Sequence, residues 1–277
     1  MMAAAKKSCP SSPSLPSCRS IDTLSSITNK QLSITDNFIS NTLVKSLLQD
    51  ASELYKHGAY VTGKIGGRTV KNERANNAKR RCDICGLFDD ALKVPSGVGN
   101  VDARETLFDI MGDIRETLQD ELQIELSESM ELQYLHYPGD TTSSGSGFYK
   151  RHLDHTADDN GKELIRRISL LLYLNTDEWT EKDGGILRAY IKQSAKGDKG
   201  VPNQKDVIPT GGRLVLFDSA TVEHEVLPTN KERWAIVGWF MSDNNRRGSN
   251  TKKRSLHIQE RQQQSATKRR KKKRKSR

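Results

Sequence analysis

Two imidazoles and a carboxylate, far apart in the chain yet each set in or beside a β-prone run, constrain this sequence more than any other feature. His152 and Asp154 stand one residue apart in Gly147-Phe148-Tyr149-Lys150-Arg151-His152-Leu153-Asp154-His155, His224 follows seventy residues after Asp154, and Arg233 comes nine residues after His224. In a strand, residues two apart share a face, so one strand can deliver both His152 and Asp154. Arg213-Leu214-Val215-Leu216-Phe217-Asp218 reads as a second buried strand, with His224 just past its end, where a loop can carry it to the same point. Arg233 opens a third such run, Arg233-Trp234-Ala235-Ile236-Val237-Gly238-Trp239-Phe240, whose alternation places Arg233, Ala235, Val237 and Trp239 on one face. If that face is interior, the guanidinium is costly unless an anion meets it, and no acid of the strand shares its face.

Residue chemistry narrows what such a convergence can do. Two neutral imidazoles and one carboxylate on one side of a metal leave the other side open, which is the facial donor set of non-haem Fe(II) oxygenases. Three open positions suit a bidentate organic chelator and O2. A dicarboxylate that chelates with one end needs a fixed counter-ion for the other, and Arg233 offers a planar, always charged fork. The residues therefore point to a 2-oxoglutarate-dependent oxygenase, with His152, Asp154 and His224 on the metal and Arg233 on the co-substrate. Leu171, Leu187, Val237 and Trp239 suit a site that shields a reactive oxidant, although each alone reads equally well as core packing. His57, His136, His155 and His257 lack comparable company, and His155 falls on the face opposite His152.

A longer set of segments carries a specific resemblance: Tyr137-Pro138-Gly139, Phe148 through Asp154, Leu172-Tyr173-Leu174-Asn175, Gly184-Gly185-Ile186-Leu187-Arg188, Arg213 through Phe217, His224-Glu225-Val226 and Arg233-Trp234-Ala235-Ile236. Together they resemble the catalytic domain of prolyl 4-hydroxylases over residues 34–243. The hypoxia-inducible-factor type is the nearer of its branches, because it too places Arg nine residues after the distal His. The resemblance implies iron held by His152, Asp154 and His224. It also implies 2-oxoglutarate with its far carboxylate on Arg233 and the Tyr173 hydroxyl, and Tyr137 and Tyr149 near the co-substrate or the substrate entrance. Fe(II), 2-oxoglutarate and O2 are the implied cofactors, ascorbate a candidate addition, and a protein or peptide the implied substrate. Two departures stand out. Val237 occupies a position where some relatives hold the co-substrate with Thr, and the connection from Asp154 to Tyr173 is several residues longer than in the hypoxia type, which leaves substrate identity the least transferable property.

The resemblance and the strand pattern agree on the fold class: an all-β core with flanking helices, a double-stranded β-helix of the jelly-roll or cupin-like kind, with N-terminal helices packed on one sheet. Ile39, Leu43, Val44, Leu47, Leu48 and Leu54 recur at helical spacing after a cap at Thr35 or Asp36 and before Gly58. Leu107, Ile110, Met111, Ile114 and Leu118 form a second apolar stripe behind Asp102 and Glu105, which resemble a capping box. Residues 64–81 read as a polar loop of the sort prolyl hydroxylases close over substrate, with a plain connector the equal alternative. Residues 192–205 read as an insertion near the mouth. Cys82 and Cys85 have zinc-knuckle spacing but no second pair nearby, so packing is the expected role.

Composition assigns the ends. A chain of 277 residues with 34% hydrophobic content and a mean hydropathy of −0.72 has room for one sizeable domain plus polar tails. Residues 252–277 hold 13 Lys or Arg against Glu260, a net +12, which taken from the formal +10 leaves −2 for residues 1–251. The pI of about 9.4 thus describes a tail and not a basic catalytic face. Residues 244–277 are expected to be a disordered basic tail that addresses the chain to the nucleus through an import receptor or contacts a polyanion such as RNA or DNA. Residues 1–30, rich in Ser and Pro, are expected to be a second disordered tail without a secretory h-region; a transit peptide stays open there. No apolar run reaches membrane-span length, so nuclear or cytoplasmic residence without a membrane is expected. Two further function classes stay in view. A nucleic-acid demethylase of the same superfamily would commonly carry a second Arg six residues after the first, where this chain has Trp239, and a silent binding module would commonly have lost a metal ligand, while all three are present.

Overall fold

The computed structural model describes residues 21, 24–63, 79–88, 97–140, 145–155, 164–191 and 203–243. Its elements run α1 (Ser25–Thr28), β1 (Ser33–Thr35), α2 (Asn41–Lys56), β2 (Val61–Thr62), β3 (Arg80–Arg81), β4 (Asp83–Gly86), α3 (Val101–Leu122), β5 (Met130–Tyr137), β6 (Phe148–His152), β7 (Leu164–Tyr173), β8 (Leu187–Ile191), β9 (Asn203–Val207), β10 (Leu214–Asp218), β11 (Glu223–Val226) and β12 (Arg233–Asp243). The strands form two antiparallel sheets, one ordered β1-β10-β7-β12-β5-β4-β2 and the other β3-β6-β11-β8-β9. This is the expected double-stranded β-helix.

Strand β12 shows why the sequence closes this way. Its first nine residues are all buried, on both faces, and it sits between β7 and β5 at the centre of the larger sheet. Trp234, Ile236 and Phe240 point into a layer shared with the helices, while Ala235, Val237, Trp239 and Met241 point between the sheets. A period-2 strand covered on both sides needs no polar face, which is why the run is nearly continuous in apolar residues. Helices α2 and α3 cover the outer side through Leu43, Leu47 and Leu54 and through Leu107, Met111 and Leu118.

Both helices begin later or earlier than their sequence signals suggest. The cap of α2 is Ser40, whose hydroxyl accepts from the Leu43 N–H at 3.3 Å, while Thr35 ends β1 and Asp36 receives Arg213. The cap of α3 is Asn100, accepting from the Ala103 N–H at 3.1 Å, so Asp102 lies inside the first turn. Residues 24–30 also differ from expectation. Ser25–Thr28 make a helical turn with Leu24 and Ile27 buried in the core, so the ordered fold begins before residue 30. Cys82 and Cys85 are buried free thiols in different core layers, as an odd spacing along extended chain requires, and cannot share one metal. The bulk of the 64–81 loop, the 192–202 segment, and the basic tail from 244 onward lie outside the described residues. Among those that are described, no helix is long and apolar enough to cross a membrane.

One polar group holds the helical layer to the sheet. Asp50, fully buried on α2, accepts from the Asn100 N–H at 2.6 Å and the Tyr134 hydroxyl at 2.9 Å and lies 3.6 Å from Arg104 Nε. Burial pushes its carboxyl up, and Tyr134, Arg104 and the Asn100 amide oppose that. Gly99 admits the contact: its φ is +80° and a Cβ there would fall 2.1 Å from Asp50 Oδ1. Asp50→Ala would strand a phenol, an amide and a guanidinium in the interior. It should cost about 3–5 kcal/mol in urea unfolding, while variants at exposed α2 positions such as Gln49 should cost under about 0.5 kcal/mol.

Candidate active site

The three expected ligands come together, though by different local structure than strand alternation suggested. Strand β6 ends at His152, and Asp154 lies just beyond it. His224 is not on a loop; it sits in β11, directly opposite His152 in the antiparallel register, and its other neighbour in the sheet is Ala189. Cross-strand pairing brings the two imidazoles to 4.3 Å between centroids. Asp154 Oδ1 lies 3.5 Å from His152 Nε2 and Oδ2 lies 3.7 Å from His224 Nε2. One ligand atom from each residue falls within 4.8 Å of the others, and this is the sole such group of His, Cys, Asp or Glu among the described residues.

Both rings are oriented for the same purpose. His152 Nδ1 is 2.8 Å from the Lys150 carbonyl and His224 Nδ1 is 3.1 Å from the Val222 carbonyl. A carbonyl only accepts, so each Nδ1 carries the proton and each Nε2 is left with its lone pair toward Asp154. Burial, together with the neighbouring His152, pushes His224 down to about 4, against the opposing pull of Asp154, and keeps it neutral at physiological pH. Burial alone would raise the Asp154 carboxyl, but the positive charge that His224 and His152 carry when protonated and a hydrogen bond from Ser169 hold it well below the usual carboxylate range. Two neutral nitrogens and an ionised carboxylate facing one point fit a divalent cation.

Arg233 completes the picture. It is fully buried at the start of β12, its Nε donates to the Gly185 carbonyl at 2.8 Å, and both terminal nitrogens lack a hydrogen-bond partner among the described residues. Its Cζ lies 4.8 Å from the Tyr137 ring centroid and 5.1 Å from that of Tyr173. The Tyr173 hydroxyl is buried beside it without a hydrogen bond of normal geometry to any described group. Burial raises the Tyr173 phenol, with the guanidinium opposing, so it stays a donor. Four buried donor hydrogens on Arg233 and one on Tyr173 thus wait for acceptors, an arrangement that fits a carboxylate. Gly185 permits the approach, for its φ is +66° and a Cβ would fall 2.6 Å from Arg233 Cδ. Asn175 fixes the start of β12, accepting from the Trp234 N–H at 2.8 Å and donating to the Pro209 carbonyl at 2.7 Å.

Tyr149 stacks on His152 at 3.7 Å between centroids, and Arg80 Cζ lies 4.6 Å from its ring. Leu171, Leu187, Val237 and Trp239 all line the layer between the sheets that also holds Tyr137 and Tyr173. The other described histidines stay apart. His57 is exposed at the C-cap of α2, His136 packs against Trp234 on the opposite face of β5, and the His155 amide donates to the Ser219 carbonyl. Three contributors escaped the sequence reading. Arg80 belonged to a stretch read as loop. Ser169 and Ser219, which bear on Asp154, were visible only as a hydroxyl inside the apolar run of β7 and a polar residue after β10.

The 2OG-Fe(II) oxygenase superfamily pattern matches residues 132–241, the span from β5 to β12 that carries His152, Asp154, His224, Arg233 and the three tyrosines but not Arg80. Over 231 residues the chain is 26% identical to the mouse prolyl hydroxylase EGLN3, covering 80% of this chain and 82% of that one. Over 220 residues it is 24% identical to the Caenorhabditis elegans hypoxia-inducible factor prolyl hydroxylase, covering 77% of this chain but 27% of that longer protein. A Pseudomonas putida prolyl-4-hydroxylase superposes with a TM-score of 0.58 at 28% identity, over 78% of this chain and 95% of that one. A Trichoplax adhaerens prolyl hydroxylase, solved with a hypoxia inducible factor peptide fragment, shares the fold with a TM-score of 0.60 at 22% identity, over 78% of this chain and 86% of that one. Fold and site resemble those of 2-oxoglutarate- and Fe(II)-dependent dioxygenases. Within that class the chain is similar to prolyl 4-hydroxylases.

Proposed function

We propose that this protein hydroxylates a peptidyl side chain, most plainly a proline, with Fe(II) held by His152, Asp154 and His224 and 2-oxoglutarate anchored by Arg233. The observation that carries the reading is the pairing of a converged His-Asp-His set with a fully buried guanidinium whose terminal donors have no partner among the described residues. Iron, once bound with co-substrate and O2, supplies the oxidising chemistry that converts 2-oxoglutarate to succinate and CO2 and places one oxygen atom on a C–H bond. The protein's own contributions are separable. Arg233 and Tyr173 grip the carboxylate remote from the metal. Backbone carbonyls of Lys150 and Val222 fix the imidazole tautomers. Leu171, Leu187 and Val237 keep water from the reacting face, and Tyr149 and Tyr137 line the approach to it.

Purified protein given Fe(II), 2-oxoglutarate and a library of proline-containing peptides should form succinate in step with a one-oxygen mass gain on proline. Succinate without peptide oxidation, or with oxidation of nucleic-acid methyl groups, would replace the substrate assignment. Trp239, where demethylases commonly place a second cation, speaks against the latter. Ascorbate as a supporting reductant and nuclear address through the basic residues 268–275 complete the proposal. Residues 34–243 are assigned to catalysis, and the tail to an import receptor or polyanion.

A further inference from the structure

Of the three candidate ligands, Asp154 has the weakest backbone support. It stands beyond the end of β6, where the neighbouring His155 amide donates to the Ser219 carbonyl at 3.0 Å. What its carboxylate has instead is a hydroxyl relay. Ser169 Oγ, on β7, is 2.7 Å from Asp154 Oδ2, and Ser219 Oγ is 2.8 Å from Ser169 Oγ. Both serines are essentially fully buried. An ionised carboxylate can only accept, so the Ser169 proton goes to Asp154, and Ser169 must then accept from Ser219. The chain of donors runs one way, from Ser219 to the carboxylate, and its links reinforce one another in a dry interior.

The relay engages Oδ2, which also lies 3.7 Å from His224 Nε2, and so fixes the rotation of the carboxylate. Oδ1, which no hydroxyl among the described residues reaches, faces His152 Nε2 at 3.5 Å. From this we infer that Ser169, with Ser219 behind it, is a positioning residue that fixes the rotation of the Asp154 carboxylate and so holds it to one-oxygen ligation. Carboxylates readily turn to offer both oxygens to a cation, and a second metal–oxygen bond here would occupy a position that the co-substrate and O2 need. The inference rests on the metal-site reading given above and assigns to two serines a control over how many positions the site keeps open.

Co(II) binding to metal-stripped protein, followed by calorimetry and by visible absorption, tests this without turnover. Ser169→Ala should weaken Co(II) by about 10–100-fold, the usual cost of losing a ligand's outer hydrogen bond, and should change the visible spectrum of the saturated protein. Ser169→Thr, which restores the hydroxyl on a residue at home in a strand, should stay within about threefold of wild type with an overlapping spectrum. A merely structural serine would lower the unfolding temperature and leave both Co(II) readouts alone. Wild-type affinity and spectrum in folded Ser169→Ala would overturn the inference. Should Ser169→Ala fail to fold, Ser219→Ala decides, since a loss of about threefold or more supports the relay and wild-type affinity overturns it. His152→Ala separates the two levels. If it binds Co(II) as wild type does, the metal site itself is misassigned; if it loses Co(II) while Ser169→Ala does not, only the role of the serines fails.

Discussion

Arg233→Met is expected to leave the metal-free protein at least as stable as wild type while weakening 2-oxoglutarate binding by about 100-fold or more. The two effects come from one fact. Arg233 carries a fully buried charge that, among the described residues, has no acid paired with it and one hydrogen bond, to the Gly185 carbonyl, beside the faces of Tyr137 and Tyr173. A buried ion without a counter-ion is a liability in the folded state, and apolar replacements of similar volume at such places are commonly neutral or stabilising by about 1–4 kcal/mol. Once a carboxylate arrives, the same charge gains a bidentate partner in a low-dielectric site. Removing one member of such a pair costs about 2–5 kcal/mol, which is about 30- to several-thousand-fold in affinity. Thermal unfolding with Mn(II), with and without saturating 2-oxoglutarate, reads both effects at once. Wild type should gain stability from the co-substrate by ligand linkage, and Arg233→Met should gain little from the same concentration. Mn(II) affinity measured alone should be unchanged. A variant that loses Mn(II) as well, or whose metal-free form unfolds several degrees earlier, would show that Arg233 holds the fold and not a ligand.

That split between stability and binding explains which parts of the site could be seen in the sequence. Arg233 was legible because its neighbours Ala235, Val237 and Trp239 alternate with Trp234 and Ile236, so a charge at the head of the run had to be either exposed or functional. His152, Asp154 and His224 were legible as residue types, but their geometry was not. His224 lies within a strand because pairing with both β6 and β8 outweighs a local pattern too short to announce itself, and Asp154 leaves its strand because the ladder ends at His152. The helix caps slipped for a related reason. Thr35, Asp36 and Asp102 are competent caps in isolation, yet β1 pairs with β10 through Thr35, and Asn100 is already placed by the hydrogen bond its backbone N–H donates to Asp50. Ser169 and Ser219, fifty residues apart, meet only because β7 and β10 are neighbours, and no spacing rule along the chain encodes that contact.

The largest loss is expected from Asp154→Ala, which should abolish substrate-coupled succinate formation and weaken Mn(II) or Co(II) binding beyond the roughly 10–100-fold that outer contacts control. Asp154 is the only anion among the three candidate ligands, and without it two neutral imidazoles, 4.3 Å apart between centroids, are left to hold a divalent cation. Asp154→Glu makes the sharper test. It keeps the charge but moves the carboxylate outward by one methylene, which separates it from Ser169 Oγ and displaces the oxygen that faces His152 Nε2. If charge alone held the metal, Glu would restore most of the affinity. Because the position depends on a short bond to a buried serine, Glu should recover binding only in part and turnover hardly at all, since displacement by about 1 Å is enough to cost on the order of 100-fold in rate. Metal titrations on both variants, paired with succinate yield at saturating metal, separate loss of the ion from its misplacement. Wild-type turnover in either variant would remove Asp154 from the site and with it the proposed chemistry.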